Sequence, residues 1–231
     1  MLRNIVVTGG SGRFAQELKK IKCRYNFIFR TKKQFDILSI SSIKKNIKNF
    51  KPDCILHLAG LSRPMSIHDK NIQKSIDLNI IGTANLVKIC SKENIKIIFF
   101  STNYVYPGKM GNYKEHDALL PWNNYGWSKL GGESAVQMYK NSLIVRCALT
   151  EYPFKHKKAF SDVKSNFIYH KDFIPILLKI IDKRGTINVG GRSQTIFNFA
   201  RKEKKNITKV KSKGKMPKRV DMNLGKLFKI L

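Results

Sequence analysis

The chain has 231 residues, of which 45 are Lys or Arg and 15 are Asp or Glu, so its formal net charge at neutral pH is +30. This length is enough for one domain, or for one domain with a small cap, to bury a full core. No stretch approaches the roughly 18–20 consecutive apolar residues of a membrane span, and the first apolar run is too short for a signal peptide. We therefore expect a soluble, cytoplasmic protein.

The four cysteines and five histidines are scattered along the sequence. No two cysteines have CxxC spacing and no histidines have HxxxH spacing, so the sequence predicts neither a metal site nor a redox pair. The surplus of Lys accompanies much Ile and Asn, which is typical of a genome-wide compositional bias. The alternative is attraction to an anion, such as nucleic acid, a membrane surface or a phosphorylated substrate. Because no nucleic-acid motif is visible, we do not expect a nucleic-acid or membrane partner.

A strand, a Gly-rich turn and a helix open the chain. Residues 5–7 are a β-branched run, and a helix-compatible stretch extends from the turn to about residue 20. Gly9 and Gly12 permit a tight turn and a close approach of the backbone to a pyrophosphate, with Ala15 as the third small residue. The helix that follows supplies free N–H groups. The unit predicts a dinucleotide site, the alternative being an ordinary strand–helix turn.

The second predicted strand, residues 27–29, leads into basic residues. In a dinucleotide fold an acid at this point binds the ribose 2′-hydroxyl of NAD. Here Arg30, Lys32 and Lys33 follow the strand, and Asp36 is the first acid. Basic groups suit a 2′-phosphate, and Arg13 is expected to project toward the same place. We therefore favour NADPH, with NADH possible; the alternative is that these cations are ordinary surface charges.

Strands and helices continue to alternate through about residue 146. The sequence predicts a helix over 41–49, a buried strand over 54–60, a helix over 69–93 interrupted by Asn79, a strand over 97–100, a helix from Tyr125 to about 139 and a strand over 143–145. The small residues Ala59 and Gly60 let a cofactor lie against the backbone. Asn79 either bonds to backbone or belongs to the site. The alternation predicts an α/β fold with a doubly wound parallel sheet (Rossmann fold) over residues 1–146.

Tyr125 and Lys129 are candidates for acid–base chemistry. They lie four residues apart, one turn apart on one face of the predicted helix. A phenol titrates near about pH 10, and a nearby ammonium favours the phenolate and lowers that pKa. The alternative is an exposed Tyr beside a solvated Lys. Thr102 follows the fourth strand, and a hydroxyl at the carboxyl end of a strand is well placed to meet a substrate.

Three segments, 101–106 (Ser-Thr-Asn-Tyr-Val-Tyr), 124–133 (Asn-Tyr-Gly-Trp-Ser-Lys-Leu-Gly-Gly-Glu) and 188–191 (Asn-Val-Gly-Gly), carry a resemblance. With the Gly-rich turn, they make the chain resemble the extended short-chain dehydrogenase/reductases, and most of all their dTDP-4-dehydrorhamnose reductase branch. The resemblance implies an NAD(P)H-dependent reductase of a keto group on a nucleotide-activated deoxysugar. Thr102 would polarise the carbonyl, Tyr125 would donate the proton, and Lys129 would hold the nicotinamide ribose and lower the Tyr125 pKa. The implied cofactor contacts are Gly9, Gly12, Arg13, Phe14, Arg30, Asp36, Ile37, Ala59, Gly60, Tyr125 and Lys129.

The resemblance leaves alternatives open. Asn103 stands where related dehydratases need an acid, which argues against dehydration. A nucleotide-sugar epimerase would use the same residues, and a non-catalytic NAD(P)-binding regulatory or scaffold protein would suit the short C-terminal part. The resemblance also implies a homodimer.

Residues 147–231 are predicted as a short, Lys-rich substrate-binding part. The sequence predicts a loop around 155–158, a helix over 173–181, a strand over 186–189, a helix from the cap Thr195 to about 205, a solvated and partly mobile segment over 201–219, and a final helix that starts at Asp221. The alternative for residues 201–219 is contact with a nucleotide-sugar diphosphate or a polyanionic surface, and Arg219 is a candidate phosphate contact.

Overall fold

Strands and helices alternate as the sequence predicts. The computed structural model describes residues 4–214 and 216–231. The strands are β1 (Asn4–Thr8), β2 (Asn26–Phe29), β3 (Cys54–His57), β4 (Lys96–Thr102), β5 (Ser142–Cys147), β6 (Leu149–Thr150), β7 (Lys158–Phe160), β8 (Lys164–Ser165), β9 (Ile168–Tyr169), β10 (Gly185–Val189), β11 (Gln194–Thr195) and β12 (Thr208–Val210). The helices are α1 (Arg13–Leu18), α2 (Ile40–Phe50), α3 (Ile67–Lys70), α4 (Ile72–Ile76), α5 (Gly82–Lys92), α6 (Asn124–Gln137), α7 (His170–Ile180), α8 (Ile196–Arg201) and α9 (Gly225–Phe228), with a π-helical turn (Asp77–Ile81) and a 3₁₀ turn (Asn103–Val105).

Six strands form one parallel sheet in the order β10-β5-β4-β3-β1-β2. β1 has β2 on one side and β3 on the other, so that Val6 pairs with both Ile28 and Ile55. The direction in which successive strands are added therefore reverses between β1 and β3, which is where ligands bind in sheets of this class. The doubly wound parallel sheet is confirmed, and the Gly-rich turn follows the strand at this reversal.

The core of the sheet comes from its uninterrupted apolar runs. Val6, Ile55 and Ile97 occupy neighbouring positions on β1, β3 and β4, and each is at most 1% exposed. Ile43 of α2 and Leu86 of α5 belong to the same buried cluster. Burying each such side chain stabilises the fold by about 1.5–3 kcal/mol. The packing fixes α2 and α5 relative to the strands.

The described residues group into two compact units that are interleaved in sequence. The first comprises the described residues through Phe100, with Trp127–Ile144 and Lys183–Gly185; the second comprises Ser101–Gly126, Val145–Asp182 and the described part of Thr186–Leu231. The expected division into residues 1–146 and 147–231 concerns which ligand each part binds, and it stays a prediction. Within the described ranges, no helix has both the length and the apolar character that crossing a bilayer requires.

The prediction that residues 69–93 are largely helical is confirmed, but the chain leaves the helix at Asn71 and forms a π-helical turn at Asp77–Ile81. At Asn71 the backbone leaves the helical region (φ −141°, ψ 77°), and the Asn71 side chain accepts a hydrogen bond from the Lys74 N–H to start α4. The π-helical turn then widens the helix around Asn79. Apolar spacing persists across both breaks, so the pattern alone suggests one helix.

The C-terminal segments form three strand pairs that the sequence did not predict: β11 with β8, β12 with β7, and β6 with β9. The predicted helix over 173–181 and strand over 186–189 are confirmed as α7 and β10. Thr195 caps α8 as predicted, accepting from the Asn198 N–H at 3.1 Å. The helix ends at Arg201 and not near 205, and the chain then turns to bury Ile207, which is 7% exposed.

One further prediction for the C-terminal part is wrong. Most of the described residues of 201–219 are exposed, as expected of a solvated segment, although the segment also contains β12, which pairs with β7. Asp221 does not start the last helix: it is 3% exposed and accepts a hydrogen bond from Ser193 Oγ at 3.0 Å. The last helix is α9. Partners far away in sequence decide both features, and local patterns do not reveal them.

Candidate functional site

The Gly-rich turn packs directly against the ends of β2 and β3. Gly9 has a φ of 66°, and a Cβ on it would lie 2.7 Å from Ala59 N. A Cβ on Gly10 would lie 2.8 Å from Arg30 N, because the Gly10 N–H donates to the Arg30 carbonyl at 2.8 Å. Only glycine fits these positions. The structure thus brings the predicted contacts Gly9, Ala59 and Arg30 together within the first unit.

Gly12, Arg13 and Phe14 continue from this turn into α1. Gly12 precedes the helix with extended backbone, and Arg13 is exposed at its first position. Phe14 is 8% exposed, and its ring centroid lies 5.1 Å from that of Phe100. The Phe14 side chain therefore packs in the first unit, so a cofactor contact at this position would come from its backbone.

The cation at the end of β2 is supported by α2. Arg30 Nε donates to Asn46 Oδ1 at 3.2 Å, and the guanidinium carbon lies 4.9 Å from the centroid of the Phe50 ring. Asn46 is itself fixed, since its amide donates to the carbonyls of Gln34 and Ser42, both at 2.9 Å. Arg30 is therefore a positioned group, whereas Lys32 and Lys33 are plain exposed side chains.

Asp36 and Ile37 lie in the loop before α2. Asp36 Oδ1 accepts from the Leu38 N–H at 3.0 Å, which shapes the loop. Ile37 is 3% exposed, and its Cδ1 would be 2.6 Å from a Cβ on Gly82. Because the Ile37 side chain belongs to the core, a cofactor contact at this position would come from its backbone.

Thr102 ends β4 and caps the 3₁₀ turn. Its Oγ1 accepts from the Tyr104 N–H at 3.3 Å and donates to Asn103 Oδ1 at 3.4 Å. Asn103 Nδ2 donates to Ser165 Oγ and to the Val220 carbonyl, both at 3.0 Å. The amide at the position where related dehydratases carry an acid is thus a buried link between segments of the second unit.

Tyr125 stands at the start of α6, beside the residues that follow Thr102. Its ring centroid lies 6.2 Å from that of Tyr104 in an edge-on arrangement. The next residue, Gly126, has no room for a side chain, because a Cβ there would lie 2.5 Å from the Tyr104 carbonyl oxygen. Within the second unit, this close approach places half-buried Tyr125 next to the segment after β4.

Lys129 lies one turn further along α6 and is buried in the first unit. It is only 9% exposed, and its ammonium lies 4.0 Å from the centroid of the Phe99 ring. An aromatic face offsets part of the cost of burying a cation. Burial, together with the Lys129 charge, lowers the pKa of His57 to about 3. The sequence predicted the spacing of this lysine but not its burial.

A buried chain of hydrogen bonds that the sequence did not predict runs through His57. Thr83 donates its only hydroxyl proton to the Asn79 carbonyl at 2.8 Å, so at 3.1 Å His57 Nε2 must be the donor to Thr83 Oγ1. His57 Nδ1 is then the acceptor from Thr8 Oγ1 at 2.9 Å. His57 is therefore a neutral imidazole that joins β1, β3 and α5. In the sequence, the position of His57 within an apolar run was the signal that could have indicated a buried, hydrogen-bonded histidine.

Asn79 anchors the π-helical turn to α6. Its Oδ1 accepts from the Leu61 N–H at 2.7 Å, and its Nδ2 donates to the Leu61 carbonyl at 2.9 Å and to Ser128 Oγ at 2.8 Å. A Cβ on Gly132 would lie 2.3 Å from the Asn79 carbonyl oxygen, so helix and turn are in direct contact. Ser128 immediately precedes Lys129. The reading of Asn79 as a residue that bonds to backbone is confirmed.

The candidate phosphate contact Arg219 is already paired. Its Nε lies 3.0 Å from Asp221 Oδ1, and its Nη2 lies 3.3 Å from Asp221 Oδ2. The Arg219 side chain is 39% exposed while that of Asp221 is 5% exposed. Asp221 therefore holds the guanidinium in place within the second unit.

The family of the chain follows from a match over most of its length. The family model described as the RmlD substrate binding domain matches residues 3–168. The chain belongs to this family. The matched residues of this RmlD-family chain include the Gly-rich turn, Thr102, Tyr125 and Lys129, and the predicted resemblance to dTDP-4-dehydrorhamnose reductases within the extended short-chain superfamily is confirmed.

Two curated relatives are similar in sequence to part of the RmlD-family chain. It is 30% identical over 146 residues to "Methionine adenosyltransferase 2 subunit beta" of Xenopus laevis, which covers 58% of this chain and 42% of that protein. It is 26% identical over 172 residues to the dTDP-4-dehydrorhamnose reductase of Aggregatibacter actinomycetemcomitans, which covers 72% and 55% respectively. The chain thus spans about two fifths to about half the length of these relatives.

The fold matches a solved dTDP-4-dehydrorhamnose reductase from Bacillus anthracis, a complex with NADP. The TM-score is 0.88 at 23% identity, and the match covers 99% of this chain and 91% of that one. At this level of identity the likeness concerns the fold.

Proposed function

We propose that this RmlD-family chain is an NADPH-dependent reductase of the keto group on a nucleotide-activated deoxysugar. The observation that carries the proposal is the burial of Lys129, one turn after Tyr125 on α6. An exposed Tyr beside a solvated Lys was the alternative to a functional pair, and a lysine that is 9% exposed does not fit it. An ammonium held away from water acts strongly on a neighbouring phenol, because the local dielectric is low.

The proposed reaction adds a hydride from the nicotinamide to the carbonyl carbon and a proton to the carbonyl oxygen. Tyr125 donates the proton, and the positive charge of Lys129 stabilises the phenolate that remains. Thr102 donates a hydrogen bond to the carbonyl oxygen as charge develops there. Its present bond to Asn103 Oδ1 is long, at 3.4 Å, so the hydroxyl exchanges it for a substrate oxygen at little cost.

NADPH is the proposed cofactor, with NADH possible. The fold neighbour from Bacillus anthracis was solved with NADP. The cofactor is proposed to bind at the reversal between β1 and β3. Its pyrophosphate would lie on the turn at Gly9 and Gly12, with the small residues Ala59 and Gly60 beside it. Arg30, fixed by α2 at the end of β2, is the proposed partner of the 2′-phosphate, together with Arg13.

Tyr125→Phe tests the proposal, since it removes the proton donor and keeps the ring. We expect kcat for NADPH oxidation with a 4-keto sugar nucleotide to fall by at least ~100-fold, the lower range for general acid catalysis, while NADPH affinity changes little. The matched control is Tyr104→Phe, which removes a hydroxyl from the neighbouring ring; kcat should change by less than about fivefold. Unchanged turnover in Tyr125→Phe would refute the assignment.

A second candidate function is that of a cofactor-binding subunit of another enzyme. The relative that is 30% identical is named as a subunit of methionine adenosyltransferase, which favours this alternative. A subunit would bind NADPH without turning over any 4-keto sugar nucleotide. An epimerase of the same superfamily would instead interconvert sugar nucleotides with no net consumption of NADPH.

A further inference from the structure

Two lysine-rich segments that are far apart in sequence lie side by side in the second unit. β12 pairs in parallel with β7, with Thr208 opposite Lys158. The Thr208 N–H donates to the Lys157 carbonyl at 3.0 Å, and Lys204 Nζ donates to the His156 carbonyl at 3.1 Å. The term basic face is used for the cations of these two segments, which lie on both sides of the strand pair: Lys155, Lys157, Lys158, Arg201, Lys202, Lys204, Lys205, Lys209, Lys211 and Lys213.

The density of charge on the basic face exceeds what composition explains. Residues 155–158 and 201–213 together carry ten Lys or Arg and a single acid, Glu203. A net charge of +30 spread evenly over 231 residues would put a surplus of about two on these 17 residues, not nine. Nine of the ten cationic residues are exposed, and Lys204 is half-buried. Chain-wide bias therefore does not account for this face.

The basic face is a fixed surface. Residues on both sides of its strand pair share a buried apolar cluster that includes Phe154, Ala159, Ile196, Phe199 and Ile207. Asp162 accepts hydrogen bonds from Ser212 N and Ser212 Oγ, both at 2.9 Å, and so ties the segment after β12 to the segment after β7. The strand pair therefore holds these cations near one another, and an anion that binds there would reduce their mutual repulsion.

Neighbouring carboxylates do not neutralise these cations. In the part of the chain that the structure describes, none of the ten lies within ion-pair distance of an acid. Arg201 and Lys209 instead each lie 5.8 Å from the centroid of the Phe197 ring, which is itself half-buried. Cations interleaved with an aromatic ring are typical of surfaces that track a single nucleic-acid strand.

The distribution of the ten cations indicates which class of anion fits the basic face. Ten cations over two strands and a helix end suit a polymer of phosphates better than one diphosphate. Within the described residues of 155–158 and 201–213 there is no large exposed apolar side chain to insert into a bilayer. We propose that the basic face binds the phosphate backbone of single-stranded nucleic acid without base preference. This activity is separate from the reductase function proposed above.

The test is a charge reversal with a matched control in the full chain. The variant Lys158→Glu/Lys209→Glu/Lys211→Glu changes the basic face, and Lys44→Glu/Lys45→Glu/Lys48→Glu makes the same change in net charge on exposed residues of α2. Fluorescence anisotropy of a labelled oligothymidylate of about 20 nucleotides measures Kd over a series of salt concentrations. We expect the first variant to raise Kd at least ~10-fold and to flatten the salt dependence, and the control to raise it less than ~2-fold.

A second variant guards against misfolding. Lys158→Gln/Lys209→Gln/Lys211→Gln removes charge without introducing acids. It should raise Kd by at least ~3-fold, which is less than the Glu variant and more than the α2 control, and it should leave the thermal unfolding midpoint unchanged. Equal weakening in the α2 control would overturn the proposal, because binding would then follow net charge alone. Binding to phosphatidylserine vesicles but not to the oligonucleotide would also overturn it, in favour of a membrane surface.

Discussion

Gly9 and Gly185 both have positive φ, and they differ in what surrounds them. The φ of Gly9 is 66° and a Cβ there would lie 2.7 Å from Ala59 N, whereas Gly185 has a φ of 80° and nothing within 4 Å. Gly185→Ala therefore measures only the cost of a side chain on a backbone with positive φ. We expect it to lower the free energy of unfolding by about 1 kcal/mol. Gly9→Ala adds displacement of the β3 end, and we expect it to lower the free energy of unfolding by about 2–4 kcal/mol.

Urea unfolding of the two variants checks this difference. If Gly9→Ala costs no more than Gly185→Ala, the turn does not pack on the end of β3 as described. Loss of cofactor binding in Gly9→Ala without loss of stability would instead mean that the glycine serves the ligand alone.

Neutral His57 makes stability depend on pH. Its pKa is lowered from 6.5 to about 3, mainly by burial and further by the Lys129 charge. Between these values the unfolded chain binds a proton that the folded chain does not, so stability is lost as pH falls from about 6.5 toward 3. From His57 alone, the free energy of unfolding should be about 2 kcal/mol lower at about pH 5 than at about pH 7.5.

Comparison with a variant isolates this contribution from that of the carboxylates. Urea unfolding of His57→Asn should show a smaller loss of unfolding free energy between about pH 7.5 and about pH 5. The loss should be about 2 kcal/mol smaller than in the wild type, even though the variant is less stable at every pH. The control is His116→Asn, whose side chain is 80% exposed, and it should keep the wild-type slope. Equal slopes for wild type and His57→Asn would contradict a neutral buried imidazole.

At the scale of elements, a hydrogen bond between the side chains of Asn79 and Ser128 helps to hold α6 against the π-helical turn. Ser128→Ala leaves an Asn79 N–H buried without its acceptor, which we expect to cost about 1–3 kcal/mol. Ser134→Ala, on the same helix but exposed, should cost less than about 0.5 kcal/mol. In the background of Asn79→Ala, the effect of Ser128→Ala should nearly vanish. Thermal and urea unfolding are measured for the wild type and the four variants, and additive effects of Asn79→Ala and Ser128→Ala would show that the two side chains are not coupled.

The sequence predicted elements wherever the local signal is strong. The buried runs that became β1, β3 and β4, the α2 helix and the Thr195 cap all follow from patterns within a few residues. The break at Asn71 and the π-helical turn around Asn79 did not, because the apolar spacing continues through them. The pairing of β7 with β12 needs Lys158 and Thr208 to meet across about 50 residues of chain, which no local pattern encodes.

The candidate site was predictable as a set of residue types and not as an arrangement. Tyr-x-x-x-Lys gave the spacing of Tyr125 and Lys129, but the burial of Lys129 against Phe99 comes from packing of the whole first unit. In the same way, Arg30 was visible as a charge, while its support by Asn46 depends on how α2 lies beside β2. Ile37 was predicted to contact the cofactor, but its side chain is buried in the core, which the sequence did not reveal.

At the scale of the molecule, the units are interleaved in sequence, so one helix, α6, contributes Tyr125 to one and Lys129 to the other. Two lysine-rich segments that are separate in the sequence become neighbours after folding. The expectation of a homodimer stays a prediction that the oligomeric state in solution can test.

The central claim is that the chain transfers a hydride from NADPH to a keto sugar nucleotide. The most direct measurement follows NADPH absorbance and sugar-nucleotide products together, with purified protein and dTDP-4-dehydrorhamnose. We predict loss of one NADPH for each reduced sugar formed, and at least ~100-fold slower loss with Tyr125→Phe. Binding of NADPH with no reduced sugar, or interconversion of sugars with no NADPH consumed, would contradict the reductase and favour the subunit or the epimerase respectively.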